Sequence, residues 1–449
     1  MNSLMIGVSG VRGVIGESLT PEVVTRFSMA FGTFLKRGTV VVGRDTRVSG
    51  PMVKHAVTAG LLASGCGIID VDIASTPACG LSIVDLGADG GVVITGSHNP
   101  AEWNALKFFK RTGICLNDAE GHELLLIYCR GDFDAVACKD LKPGRIDTGA
   151  GERHVKKVLS VTDVDAIRRR RPRVVLDACN GAGSVMTPGF LEALGCEAVL
   201  MNCEPNGLFP HDPEPIRENI GDLCRKVREA GADVGFAQDA DADRVAVVDE
   251  NGTCIGEEYS LAIAAAAVFP VRPGKAVVNL STSRMIEDVA KRCGCEVVRS
   301  KVGEVHVAEK MIAERAVIGG EGNGGVIDPR VHLGRDSLGG MALVLGLMAG
   351  TGRKISEIVA DIPHYYMKKV KIECTRDAAL ELVRRSLARF AGQRINAEDG
   401  VRIDWDDAWV HVRPSNTEPA VRIMAEARTE ARVEEICETF ERMAKEILA

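Results

Sequence analysis

The chain has 449 residues, 46% of them hydrophobic and only 4% aromatic, with 55 basic and 62 acidic side chains giving a net charge of −7. A single core stops growing at roughly 250–300 residues, so several domains are expected. The mixed, mildly acidic charge argues against a nucleic-acid or membrane-surface partner, and no apolar run reaches the ~18 residues of a membrane span.

In chain order, residues 20–38 predict a helix. Thr20 can cap it, Pro21 suits the first turn, Gly38 ends it, and Val23, Phe27, Ala30, Phe31 and Phe34 share one face. A strand at 39–43, a helix near 51–64, a strand at 67–72, a short helix and a strand at 91–95 follow. The plan returns with strands at 173–178, 197–202 and 232–237 and a helix near 215–230. It returns again with strands at 275–280, 295–300 and 315–320 and a helix near 304–314. The tail differs: 408–413 and 421–427 alternate like half-exposed strands, and 429–448 is an amphipathic helix with Val433, Ile436, Cys437, Phe440 and Met443 on its apolar face.

The expected fold class is α/β: three similar βαβ-type domains with mostly parallel, mixed sheets, plus a smaller C-terminal α+β domain, around a central cleft. The expected domains are 1–150, 151–253, 254–365 and 366–449. The 14 cysteines are scattered and form no Cys-x-x-Cys pair, so reduced, buried thiols are expected rather than disulfides or a zinc site. With no signal-peptide pattern at the start, the expected location is cytoplasmic.

Chemistry-bearing residues follow the third strand of each repeat. They are Gly96-Ser97-His98-Asn99-Pro100, then Asp239-Ala240-Asp241-Ala242-Asp243-Arg244, then Glu321-Gly322-Asn323-Gly324-Gly325. Loops at the carboxyl ends of strands are where doubly wound sheets place their sites. Three carboxylates at every second position repel one another unless a cation joins them, and Mg²⁺ suits an all-oxygen set. An EF-hand is disfavoured because Arg244 stands where its turn needs glycine. Ser97 taken alone reads as a turn residue, since its hydroxyl is a poor nucleophile without activation or modification. Between the last two strands, Arg413, Ser415, Asn416 and Thr417, with Arg422 beyond, make an anion cradle.

Together, the stretches GVSGVRG (7–13), TGSHNP (95–100), DADADR (239–244), GEGNGG (320–325) and RPSNTEP (413–419) resemble, in order, the motifs of the α-D-phosphohexomutase superfamily. The resemblance spans nearly the whole chain. It implies that Ser97 carries a phosphoryl group and that Mg²⁺ is held by Ser97, Asp239, Asp241 and Asp243. It implies that His98, Lys107, Arg12 and Arg244 serve the transfer. Glu321 and Asn323 would hold the sugar, and Arg413, Ser415, Asn416, Thr417 and Arg422 the idle phosphate, with Lys301 a further substrate contact. The implied activity moves phosphate between the 1- and 6-positions of a hexose through a 1,6-bisphosphate, which also activates the enzyme. Phosphoglucosamine mutase is placed ahead of phosphoglucomutase/phosphomannomutase. A catalytically silent sugar-phosphate sensor and a sugar-bisphosphate synthase are the alternatives of other classes. The expected partner is a small sugar phosphate, for a monomer or homodimer. Three residues depart from the pattern: Ala240 and Ala105 stand where glycine is usual, and Gly325 where many bacterial relatives have histidine, with His332 a possible replacement.

Overall fold

The computed structural model describes residues 4–7, 10–415 and 419–448. Its first sheet holds β1 (Met5–Gly7), β2 (Gly10–Val14), β3 (Thr39–Arg44), β4 (Gly67–Ile73), β5 (Gly90–Ile94), β6 (Trp103–Lys110) and β7 (Gly144–Ile146), ordered β1-β2-β6-β5-β3-β4-β7. The second holds β8 (Arg173–Asp177), β9 (Glu197–Met201), β10 (Val234–Gln238) and β11 (Val245–Val248), ordered β11-β10-β8-β9. The third holds β12 (Lys275–Asn279), β13 (Glu296–Ser300), β14 (Ile318–Glu321) and β15 (Gly325–Ile327), ordered β15-β14-β12-β13. The fourth holds β16 (Tyr366–Glu373), β17 (Arg394–Asn396), β18 (Val401–Asp404), β19 (Ala408–Pro414) and β20 (Ala420–Ala427), ordered β16-β20-β19-β18-β17 and antiparallel throughout.

The first three sheets share one winding. In each, the first strand pairs in parallel with the second and third. The third strand then turns back into an antiparallel partner: β5 into β6, β10 into β11, β14 into β15. The three motif loops are therefore hairpin connections at the carboxyl ends of central strands. Those strands read as unbroken Val/Ile runs because helices cover both faces, and Val40, Val41, Val42, Val92 and Val93 are buried.

Two helices differ from expectation. The first ends at Phe34 rather than reaching Gly38, and Lys36 and Arg37 turn the chain at φ 52° and 66°. The helix expected from 215 begins at Gly221, because Pro213 and Pro215 bias their preceding residues away from helical angles. In the last helix, Val433, Ile436, Cys437, Phe440 and Met443 are all buried, as its periodicity predicts. No described helix is long and apolar enough to cross a membrane.

One apolar cluster runs from Val41 to Tyr365 through all three α/β units, whereas the C-terminal unit has a separate core around Val410, Ile423 and Phe440. Contacts between that unit and the third are notably polar. Arg284 donates to the carbonyls of Trp405, Asp406 and Ala408 at 3.0–3.1 Å. His411, fully buried, lies with Nε2 2.6 Å from the Asp399 carbonyl and Nδ1 2.8 Å from Ser281 Oγ. The carbonyl can only accept, so Nε2 carries the proton and Nδ1 accepts from the serine.

Burial pushes the His411 pKa down to about 4, against roughly 6.5 in an unfolded chain. The unfolded state binds more protons between those values, so this stabilisation is complete above pH ~6.5 and is lost as pH falls toward 4. Acidification is expected to loosen the C-terminal unit, read from the fluorescence of Trp405 and Trp409, and His411→Gln to flatten the response. An unchanged pH profile in that variant would refute this.

Candidate active site

Strand β5 ends in a loop whose backbone is strained at one residue: Ser97 has φ 49°, the left-handed region. Arg47, only 1% exposed, holds the loop in place. Its guanidinium donates to the carbonyls of Ser97 (2.8 Å), Asn99 (2.6 Å) and Pro100 (2.6 Å) and pairs with Asp45 at 3.1 Å. A Cβ at Gly96 would come within 2.7 Å of Arg47 Cζ, which is why that position is glycine. The Ser97 amide donates to Thr95 Oγ1 at 2.8 Å, and Ser97 Oγ donates to Asp239 Oδ2 at 3.0 Å.

Asp239, Asp241 and Asp243 are all 0% exposed, and one oxygen from each lies within 4.8 Å of the others. Asp239 Oδ1 accepts from the amides of Asp243 and Arg244, both at 3.1 Å, leaving Oδ2 toward Ser97. Lys107 Nζ donates to Asp241 Oδ2 at 2.7 Å and Asp243 Oδ2 at 3.4 Å, and Thr76 Oγ1 donates to Asp241 at 2.5 Å. Burial and the two neighbouring carboxylates push Asp239 well above the usual carboxylate range. Burial also acts on Asp241 and Asp243, but Lys107 holds Asp241 low, and Arg335 and Lys107 hold Asp243 low. Asp241 Oδ1 and Asp243 Oδ1 are buried without a hydrogen-bond partner. Clustered hard oxygens with unused lone pairs fit a divalent cation such as Mg²⁺.

The cleft above this triad has two connected lobes of about 300 and 430 Å³. Both are lined by Arg12, His98, Arg244, Glu321, Asn323, Arg413 and Arg422. Ser97, Lys107 and Ser415 line the first lobe only. Arg413 and Arg422 are cross-strand neighbours in the β19–β20 register and both line the cleft, with Arg413 Nε 3.1 Å from Asp399 Oδ2. His98 is held well below its usual pKa, first by Arg244, then by burial, Arg12 and Arg335, and its ring is neutral. Lys107 is raised, since Asp241 and Asp243 outweigh its burial.

Lys301 is exposed and lines neither lobe, and Val8, Ser9, Asn416 and Thr417 lie outside the described residues. His332 does not stand in at position 325. It packs against Gly80 and Gly113, outside the cleft, and burial lowers its pKa to about 4. Sequence reasoning missed Arg47, Thr76, Glu258, Glu304, Arg335, Lys369 and Lys371. The polar runs RDTR (44–47) and GRDS (334–337), set beside core segments, were the available signals.

Four family profiles match in order: "Phosphoglucomutase/phosphomannomutase, alpha/beta/alpha domain I" over residues 3–134, domain II over 152–252, domain III over 256–366 and the C-terminal domain over 370–443. The chain belongs to the α-D-phosphohexomutase superfamily. This phosphohexomutase, an intramolecular phosphotransferase, is 41% identical over 453 residues to the "Phosphoglucomutase/phosphomannomutase" of Thermococcus kodakarensis, covering 99% of each chain. It is 40% identical over 438 residues to the "Probable phosphoglucosamine mutase" of Methanopyrus kandleri, covering 97% of this chain and 96% of that one. Its fold matches the crystal structure of a phosphoglucomutase/phosphomannomutase family protein from Burkholderia thailandensis with a TM-score of 0.87 at 27% identity, covering 99% of this chain and 97% of that one.

Arg47 fixes the loop that carries Ser97 through three carbonyls; if that loop holds a reacting atom, misplacing it by 1 Å can cost about 10²-fold. Arg47→Ala is expected to lower kcat/KM by about that factor, and Arg47→Lys by less. Steady-state rates within twofold of the parent for Arg47→Ala would remove the clamp from the account.

Proposed function

We propose that this phosphohexomutase interconverts glucosamine 6-phosphate and glucosamine 1-phosphate, with Ser97 as the phosphoryl carrier. The observation that carries the sugar assignment is Glu258. It lines the cleft beside Asn279 and Glu321, and a Cβ at Gly322 in the sugar loop would meet its carboxylate at 2.0 Å. Its carboxylate accepts from the Ser283 amide at 2.9 Å. Burial raises its pKa to about 8 despite Lys369 nearby. A group raised to about 8 is largely protonated at neutral pH before a sugar binds; an ammonium at carbon 2 of the sugar would favour its ionised form, which a hydroxyl does not. The relative from Methanopyrus kandleri carries the same assignment in its name. The phosphoglucomutase/phosphomannomutase reading is the second, favoured by the name of the 41% identical relative.

In the proposed cycle, phosphorylated Ser97 faces the free hydroxyl of a sugar monophosphate. The bond between Ser97 Oγ and phosphorus breaks as a sugar oxygen–phosphorus bond forms. The proton of the attacking hydroxyl is given up and one is taken back by Ser97 Oγ, the leaving oxygen, and His98, beside Ser97 in the cleft, is the candidate to relay it. Lys107 and Arg12 carry positive charge toward the group in transit. Glu321 and Asn323 hold hydroxyls, and Arg413, Ser415 and Arg422 hold the idle phosphate, with Asn416 and Thr417 of the same loop assigned there by resemblance. The 1,6-bisphosphate then turns in the cleft and returns its other phosphate to Ser97. When bound by Ser97, Asp239, Asp241 and Asp243, Mg²⁺ supplies the charge that lets a phosphoryl group sit beside three carboxylates. Fourteen free thiols accord with a cytoplasmic location.

The enzyme is to be incubated with Mg²⁺, a trace of hexose 1,6-bisphosphate and each of glucosamine, glucose and mannose 1-phosphates. Conversion is expected with glucosamine 1-phosphate fastest. Intact mass is expected to show one phosphate, absent in Ser97→Ala together with activity. A fully active Ser97→Ala enzyme would end the carrier assignment, and a faster rate on glucose or mannose would pass the sugar to the second reading.

Glu258→Gln is expected to cut kcat/KM for glucosamine 1-phosphate by about tenfold, while glucose 1-phosphate changes by less than threefold. Equal losses on both sugars would count against the amino-group contact.

A further inference from the structure

We propose that Arg335 is a positioning residue for phosphoryl transfer, tying the metal-loop and sugar-loop carboxylates into one rigid unit, and that position 325 is glycine to make room for it. The proposal rests on the reading of Asp243 as a metal ligand and Glu321 as a sugar contact.

Arg335 sits just before the helix Ser337–Thr351, and its side chain is 10% exposed. Nη2 donates to Asp243 Oδ2 at 2.6 Å and Nη1 to Glu321 Oε2 at 2.9 Å. Nε lies 3.0 Å from Glu304 Oε2, an ion pair whose angle makes no hydrogen bond. One planar fork thus meets three carboxylates: one from the second unit's loop, and two from separate loops of the third. A guanidinium fixes the directions of its partners as well as their charge, which a lysine ammonium does not. The anchor is firm. The amide of the next residue, Asp336, donates to the Val326 carbonyl at 2.8 Å, and its Oδ2 lies 2.9 Å from His154 Nε2.

Gly325 pairs with Glu321 at the start of the β14–β15 hairpin. A Cβ there would lie 2.2 Å from Arg335 Cδ and 2.8 Å from its Cγ. Any side chain at 325 and the arginine therefore compete for the same space. The departure at Gly325 and the buried Arg335 become one feature: the glycine vacates a volume that the guanidinium stem fills.

The test uses the full-length enzyme. Arg335→Lys keeps the charge and removes the fork. It is expected to fold as the parent by circular dichroism, while the Mg²⁺ activation midpoint and the sugar-phosphate KM each rise about tenfold. In the parent, saturating sugar phosphate is expected to lower the Mg²⁺ midpoint, and in Arg335→Lys this linkage is expected to vanish. Gly325→Ala is expected to cost at least tenfold in kcat/KM with Arg335 present and nothing further in Arg335→Ala. An Mg²⁺ midpoint and a KM within twofold of the parent in Arg335→Lys would overturn the proposal, as would equal cost of Gly325→Ala in both backgrounds. If Arg335→Ala does not fold, Arg335→Lys decides. Should the parent convert none of the sugars, the function fails separately, and calorimetric binding of Mg²⁺ with and without glucosamine 6-phosphate tests the coupling by itself.

Discussion

Three carboxylates at 0% exposure within 4.8 Å of one another are the constraint on which the rest of this structure depends. Removing one ion from water costs several kcal/mol, and two like charges 4 Å apart repel by about 4 kcal/mol at an effective dielectric of 20. The triad survives only among cations, and the chain draws them from different units. Lys107 comes from β6 of the first and Arg335 from the third, while Arg244 follows the triad directly. The order of the three α/β units in space is thus tied to the electrostatics of one loop. A shift of either neighbouring unit would leave a buried carboxylate unpaired, a cost of about 3–5 kcal/mol by the usual behaviour of broken buried pairs.

The far wall of the cleft follows a different rule. Arg413 and Arg422 face each other across β19 and β20, and Lys369 and Lys371 lie on β16 beside them. Carboxylates temper this clustering of like charge: Arg413 Nε lies 3.1 Å from Asp399 Oδ2, and Lys369 Nζ donates to Glu257 at 3.0 Å. This wall also belongs to the unit with its own core, joined to the rest through arginine–carbonyl and histidine contacts. Relative motion is the physical expectation for a polar contact of that kind. The cleft therefore pairs a wall tied to the three-unit core, where the carboxylates gather, with a wall from the unit that has its own core, where Arg413 and Arg422 lie.

The architecture was legible because its signals are local. Val/Ile runs and helix spacing located the third strand of each repeat, and the odd residues after those strands proved to be hairpin loops at one cleft. Mixed sheets were expected, but the returning strands β6 and β15 were not located, since β15 has only three residues and β6 mixes Asn104 and Lys107 into its apolar run. The partners that make the loops work were illegible for another reason. Arg47 reaches Ser97 across 50 positions and Thr76 reaches Asp241 across 165, distances at which no periodicity survives. His332 shows the reverse error. A histidine near the right stretch invited a role, but the chain turns it behind the cleft against two glycines.

Two non-glycine residues with left-handed backbone sit in corresponding loops, Ser97 at φ 49° and Ala242 at φ 52°. Such positions cost of order 1–3 kcal/mol and persist only where surrounding contacts over-determine them. At Ser97 those contacts are the Arg47 clamp and the Thr95 hydroxyl; at Ala242, the Ser337 hydroxyl donates to its carbonyl at 2.6 Å. Glycine would relieve the strain at 97 but would remove the hydroxyl that points at Asp239. The strain is the consequence of demanding a side chain where the turn prefers none. A serine held in this way has little conformational freedom left; in the proposed cycle, the folding of the first unit would meet in advance an ordering cost that phosphoryl transfer would otherwise carry.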